Sequence, residues 1–70
     1  MPRQSVSSSN LRSVGYDQWS GTLEIEFRSG SVYVYSSVPY ERYAGLMNAG
    51  SKGSYFYYNI KGRFTYRRLG

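Results

Sequence analysis

The stretch Thr22-Leu23-Glu24-Ile25-Glu26-Phe27 alternates polar and apolar residues without a break. A period of two is that of a β-strand with one buried face, so Leu23, Ile25 and Phe27 commit the chain to a sheet whose apolar side must be covered. Arg28-Ser29-Gly30-Ser31 then reads as a turn and Val32-Tyr33-Val34-Tyr35 as a further strand. Upstream, Leu11 to Asp17 carries Val14 and Tyr16 on one parity and reads as the first strand, with Asp17-Gln18-Trp19-Ser20-Gly21 as its turn. These segments make a three-stranded antiparallel meander. The length of its second turn decides where the tyrosines point. A two-residue Ser29-Gly30 loop sets Val32 and Val34 beside Leu23 and Ile25. A three-residue loop with Gly30 left-handed shifts the pairing by one and brings Tyr33 and Tyr35 to that face. Serine is a poor first residue for the two-residue turn, which favours the longer loop.

The cover for the sheet comes later in the chain. Pro39 at a first helical position, with Glu41 in the first turn, starts a helix. Tyr43, Leu46 and Met47 are its apolar stripe and Gly50 ends it. Ser51 caps a second helix running to about Ile60, with Phe56 and Ile60 on one face. The aromatic run Tyr55-Phe56-Tyr57-Tyr58 would also suit a strand. Gly62 stops this helix, and Arg63 to Tyr66 reads as extended, returning toward the sheet edge. The order predicts an α+β domain: a three-stranded antiparallel meander followed by two helices packed on one sheet face, with room for a short C-terminal edge strand. Residues 1–10 read as a flexible polar leader that tacks down near Val6, and residues 11–70 as a single domain. Trp19, in a turn, either folds over a sheet edge or lies exposed.

A chain of 70 residues has a poor ratio of core to surface, and with no cysteine it has neither disulfides nor thiolate metal sites to compensate. Nine Tyr, three Phe and one Trp must supply the buried area, with oligomerisation as the remaining prop. No histidine is present either, which removes the usual general base at neutral pH and the usual zinc ligands. Of four carboxylates, Glu24 and Glu26 lie about 7 Å apart along one strand face by strand rise, as solvent-facing positions of an alternating strand. Asp17 reads as a turn residue and Glu41 as a helix-dipole partner. The expectation is a protein that is not an enzyme and uses no metal or cofactor. No apolar run reaches the roughly 20 residues of a membrane span, and no apolar signal core follows the start, so a cytoplasmic protein without a membrane partner is expected.

The net charge of +5 favours acidic partners. It is concentrated late: from Ser51 to Leu69, basic residues and rings alternate with no acid among them. Cations bind phosphates and flat rings stack on bases, so nucleic acid or an anionic nucleotide is the expected ligand. Ser51-Lys52-Gly53 offers a helix start with free N–H groups, a full positive charge and a glycine that admits close approach. Lys61, Arg63, Arg67 and Arg68 form a basic tail in which Arg63 and Arg67 share a parity. An extended tail turning at Gly62 would run back along the helix and act on phosphate together with Lys52. Tyr33 and Tyr35 share one face and are candidates for a stacking platform. The plainer readings of the same residues are a serine cap, a solvated fringe, and half-buried core tyrosines with wet hydroxyls.

The string Val6-Ser7-Ser8-Ser9-Asn10-Leu11, Val14-Gly15-Tyr16-Asp17, Thr22-Leu23-Glu24-Ile25-Glu26-Phe27, Gly30, Tyr33-Val34-Tyr35, Val38-Pro39, Tyr43, Leu46, Ala49, Ser51-Lys52-Gly53, Tyr55-Phe56, Ile60-Lys61 and Tyr66-Arg67-Arg68-Leu69 resembles the KTSC domain. That family is named for a C-terminal extension of some lysyl-tRNA synthetases and is also found as a free-standing small protein of bacteria and phages. The resemblance covers nearly the whole chain from Val6, with Tyr33-Val34-Tyr35 as the hallmark. It implies an α+β domain without catalysis, with RNA binding suggested for the family. Where the family often has Asn after Tyr-Phe, this chain has Tyr57, which adds a ring to the basic cluster. Three functions follow as expectations. The first is a non-catalytic binding module for a phosphate-bearing ligand, RNA or other nucleic acid foremost. The second is a homo-oligomer that sequesters a small signalling nucleotide such as a cyclic dinucleotide, in the manner of a phage anti-defence protein. The third is a protein-interaction or inhibitor module using a Tyr/Arg-rich face.

Overall fold

The computed structural model describes residues 3–70. The alternating segments form the strands expected of them: β2 (Leu11–Asp17), β3 (Thr22–Phe27) and β4 (Val32–Tyr35). Two short strands flank this meander, β1 (Gln4–Ser5) and β5 (Tyr66–Arg68), giving one antiparallel five-stranded sheet in the order β1-β2-β3-β4-β5. The helices α1 (Tyr40–Asn48) and α2 (Lys52–Asn59) lie between β4 and β5 in the chain. The α+β class therefore holds, with two more strands than the alternation alone announced. β1 falls within the stretch read as a polar leader: Gln4 pairs with Val14 and Ser5 with Ser13, and the Val6 amide donates to the Arg12 carbonyl. The first two residues of that leader lie outside the described residues.

The second turn is the three-residue loop. Leu23 pairs with Tyr35 and Ile25 with Tyr33, while the Phe27 amide donates to the Ser31 carbonyl across Arg28-Ser29-Gly30. Gly30 has φ +98°, a conformation that costs a side-chain-bearing residue about 1–2 kcal/mol. The choice of loop puts Tyr33 and Tyr35 on the face of Leu23 and Ile25, with Val14 and Tyr16 opposite Ile25 and Leu23. The helices cover this face. Leu23, Ile25 and Tyr35 join Leu46 of α1 and Phe56 of α2 in one core with Leu11, Val14, Val38 and Ile60, and Phe27 packs against it half-buried. The other face carries Ser13, Glu24, Glu26, Val32, Val34 and Arg67 by the same register.

Ser51 caps α2 as expected, its hydroxyl accepting from the Ser54 amide at 3.3 Å. Pro39 stands one place earlier than the first helical position, as the N-cap residue of α1. The connection before it is held by the β2–β3 turn: the Val38 amide donates to the Gly21 carbonyl at 2.8 Å, and the Tyr16 hydroxyl donates to the Val38 carbonyl at 2.6 Å. Gly21 has φ +73°, and a Cβ there would lie 3.2 Å from the Val38 carbonyl oxygen. Backbone strain and backbone crowding act together at this position. Gly21→Ala should therefore lower the unfolding free energy by about 1–2 kcal/mol or more, whereas Gly50→Ala, which opens onto empty space, should change it little. Equal denaturation midpoints for the two variants would contradict this account of the turn.

The tail departs from expectation. Gly62, at φ +76°, reverses the chain, and the Arg63 amide donates back to the Ile60 carbonyl. The extended segment is therefore Tyr66–Arg68 rather than Arg63–Tyr66. It does return to the sheet edge, pairing Tyr66 with Tyr35, Arg67 with Val34 and Arg68 with Tyr33. No helix among the described residues is long and apolar enough to cross a membrane.

Candidate functional site

The rings of the helix-covered face are packed against one another into a wall. Phe27 meets Tyr33 and Phe56 edge-on, with centroids 5.8 and 5.2 Å apart. Tyr35 meets Phe56 edge-on at 5.7 Å, and Tyr66 on β5 leans over both Tyr33 and Tyr35 at 5.6 Å. Such offset and edge-on pairs are the favoured aromatic geometries. These five residues line a cavity of about 450 Å³. Ser29 and Ser31 of the β3–β4 turn form one rim, and Lys61 with Gly62, just past α2, the other.

A second cavity of about 360 Å³ adjoins the first, sharing Phe27, Ser29, Phe56 and Lys61 with it. Its own walls are Ser9, Asn10, Arg28, Gly53 and Tyr57. Tyr57 is 59% exposed, and the Lys61 ammonium sits 5.3 Å from the centre of its ring. A cation over a ring face is held by the ring's quadrupole while remaining open to an anion. Arg28 is anchored on one side only. Its Nε donates to the Ser8 carbonyl at 2.8 Å and its amide to the Asn10 carbonyl at 2.9 Å, and the residue lines the second cavity.

The four carboxylates stand away from this groove. Glu24 pairs with Arg3 on the opposite sheet face, and Glu26 accepts from the Ser13 hydroxyl there at 2.9 Å. Asp17 accepts from the Trp19 amide within the β2–β3 turn, and Glu41 occupies the first turn of α1. Neither cavity is lined by an acid, so the only formal charges on their walls are those of Lys61 and Arg28.

The residues singled out from the sequence are thus divided. Tyr33, Tyr35, Tyr57, Gly53 and Lys61 come together in the groove. Lys52 and Ser51 line neither cavity: Ser51 serves as a cap, and the Lys52 ammonium donates to the Ala49 carbonyl at 3.2 Å. The helix start is further screened by Asn10, whose side-chain nitrogen lies where a Cβ on Gly53 would go. Arg67 projects from the face opposite the helices, because Tyr66 pairs with Tyr35 on the covered face and successive strand residues alternate. Arg63 is exposed and donates to the Tyr58 carbonyl, and Arg68 lies at the sheet edge donating to the Gly70 carbonyl. The fold therefore does not bring Lys52 and Arg67 together into one phosphate-binding site. Tyr35 is only 4% exposed, so the tyrosine pair is a cavity wall rather than an open stacking platform. The turn cation Arg28, the rim serines and Asn10 went unnoticed in the sequence, where they read as turn and leader. Trp19 stands 92% exposed at its turn.

Burial pushes the Tyr35 hydroxyl up to about 12, with the neighbouring phenols Tyr33 and Tyr66 adding to the shift. Burial also raises Tyr16, followed by the negative charges of Glu41 and Asp17 and by Tyr40. A raised phenol means that the fold favours the neutral form, so its stabilising contribution is complete below the unfolded value of 10.0 and is lost as pH rises toward about 12. Tyr35→Phe should flatten the alkaline limb of the stability curve in that window. Parallel pH profiles for parent and variant would show that Tyr35 ionises freely in the folded protein.

The fold recurs in known proteins. The KTSC domain family model matches residues 7–64. A crystal structure of a KTSC domain protein from Yersinia pestis superimposes with a TM-score of 0.95 at 45% identity, over 99% of this chain and 97% of that one. A protein of Stutzerimonas stutzeri is 46% identical over 56 residues, covering 80% of this chain and 79% of its own length. A lysine–tRNA ligase of Trichormus variabilis is 43% identical over 68 residues, which are 97% of this chain but only 12% of the ligase. A sequence matched over most of its length, on a backbone superimposable from end to end, belongs to the KTSC domain family.

Proposed function

We propose that the protein is a non-catalytic RNA-binding module that takes a single-stranded segment along the groove between the β3–β4 turn and the end of α2. The observation that carries this reading is the lining of the groove: rings, hydroxyls and an amide with two cations, Lys61 and Arg28, and no carboxylate. Rings recognise the flat face of any base, and cations spaced along a groove neutralise successive phosphates. Arg63, Arg67 and Arg68 add long-range attraction from the surrounding surface without touching the base sites. The likeness to a domain of a lysine–tRNA ligase adds a second support, since an RNA substrate is at hand for that enzyme. Binding rather than turnover fits a groove lined by rings, hydroxyls and cations, and a cytoplasmic location goes with this reading.

A short fluorescent single-stranded RNA, titrated with the protein between about 50 and 200 mM salt, tests this. Binding should weaken with a slope of about −0.7 in log–log terms for each phosphate neutralised, so about −1.4 or steeper for the two groove cations. The size of the main cavity gives one alternative weight, since about 450 Å³ lies within the range of small-ligand sites. A free nucleotide that binds as tightly as the RNA, with a nearly flat salt response, would favour sequestration of a small nucleotide. Absence of binding by either would favour a protein partner.

A further inference from the structure

The groove is divided. Its two compartments share Lys61 as their one common cation, and each has rings of its own: Tyr33, Tyr35 and Tyr66 in the first, Tyr57 in the second. Arg28 lines only the second. A dinucleotide step of a single strand has the matching form, two flat and largely apolar bases joined by one anionic linker. We infer that the groove takes such a step, with one base in each compartment and the bridging phosphodiester at the Lys61 ammonium.

This assignment rests on the RNA-binding reading and adds to it a ligand length and a place for each part. In the first compartment, Tyr66 is 56% exposed and forms the accessible ring at the mouth, while Tyr35 and Phe56 close the floor. The incoming base stacks on Tyr66, and the rim hydroxyls of Ser29 and Ser31 reach its edge. In the second compartment Tyr57 offers an exposed ring, with the Asn10 amide to pair with a base edge and Arg28 for the phosphate that follows. Lys61 already rests over the Tyr57 ring, so a base stacked beside that ring brings its phosphate to the cation without moving the backbone. The first compartment has no charged wall other than Lys61, which makes it a place for a base and its sugar rather than for a further phosphate.

Adenosine 5′-monophosphate, the dinucleotide ApA, the trinucleotide ApApA and a longer oligoadenylate form the test series, measured by calorimetry on the intact protein. ApA should bind at least about tenfold more tightly than the mononucleotide, the gain expected from one additional stacked base, and ApApA should add no more than a few-fold. Tyr57→Ala should abolish the roughly tenfold advantage of ApA over the mononucleotide, because only the first compartment then holds a stacked base. Lys61→Ala should weaken both. Each altered residue is exposed, and an unchanged thermal midpoint verifies that the variants fold. If the longer oligoadenylate binds but ApA and the mononucleotide bind alike, or Tyr57→Ala leaves their ratio intact, the two-compartment assignment is wrong and the RNA reading stands. If the longer oligoadenylate does not bind, both fall.

Discussion

Ile25→Ala should lower the unfolding free energy by about 2–5 kcal/mol, a large share of the stability of so small a domain. Ile25 is fully buried at the centre of β3, paired with Val14 on one side and Tyr33 on the other, and the helices close over it. The surrounding walls are strand backbone and packed rings that cannot collapse into the vacated space, so the cavity persists and adds its cost to that of the lost apolar burial. Domains of this kind have about 5–15 kcal/mol in all, so the variant should unfold at far lower denaturant with little change in slope. A midpoint within error of the parent would mean that the face carrying Leu23, Ile25 and Tyr35 is not the core.

The second large effect concerns binding. Arg28→Glu combined with Lys61→Glu should reduce affinity for single-stranded RNA by about a hundredfold or more at moderate salt, because two phosphate contacts are lost and two repulsions take their place. Each lost contact should also make the log–log salt slope shallower by about 0.7. Stability should change little, since both side chains are exposed. Lys52→Glu with Arg67→Glu serves as the comparison. It changes the net charge by the same amount, but at a helix start and on the opposite sheet face, and should leave affinity within about threefold. Equal losses in the two pairs would show that the protein attracts RNA by net charge alone, with no groove involved.

Comparing these two pairs also shows what could be read from the residues. The alternation in Thr22–Phe27 and the unsuitability of serine in a two-residue turn together determine the register, and with it the face on which Tyr33 and Tyr35 lie. The cap of α2 and the apolar stripes of both helices were equally legible, because capping and helical periodicity are local. β1 was not, since two polar residues at a sheet edge have no pattern and are held by backbone pairing alone. β5 begins three residues later than a simple stop at Gly62 predicts, because Gly62 reverses the chain; the alternation of Tyr66 against Arg67 is legible, but which of the two faces the helices depends on the pairing with β4. The groove itself is assembled from the Ser9–Asn10 loop, the β3–β4 turn, the end of α2 and β5. No contiguous motif records such a convergence. The basic tail, being contiguous, drew the eye to Arg63, Arg67 and Arg68 while Arg28 passed as an ordinary turn residue.

Titration of ¹⁵N-labelled protein with a short single-stranded RNA, followed by amide chemical shifts, tests the central claim most directly. In a chain of 70 residues each position after Pro2 other than Pro39 has an amide to follow, and weak binding still moves those at the site. The groove account predicts that the amides of Asn10, Ser29, Ser31, Tyr57, Lys61, Gly62 and Tyr66 move together and saturably, while those of Ser13, Glu24, Glu26 and Arg67 stay in place. Shifts concentrated on the Glu24–Arg67 face, or spread evenly over every basic residue, would contradict it.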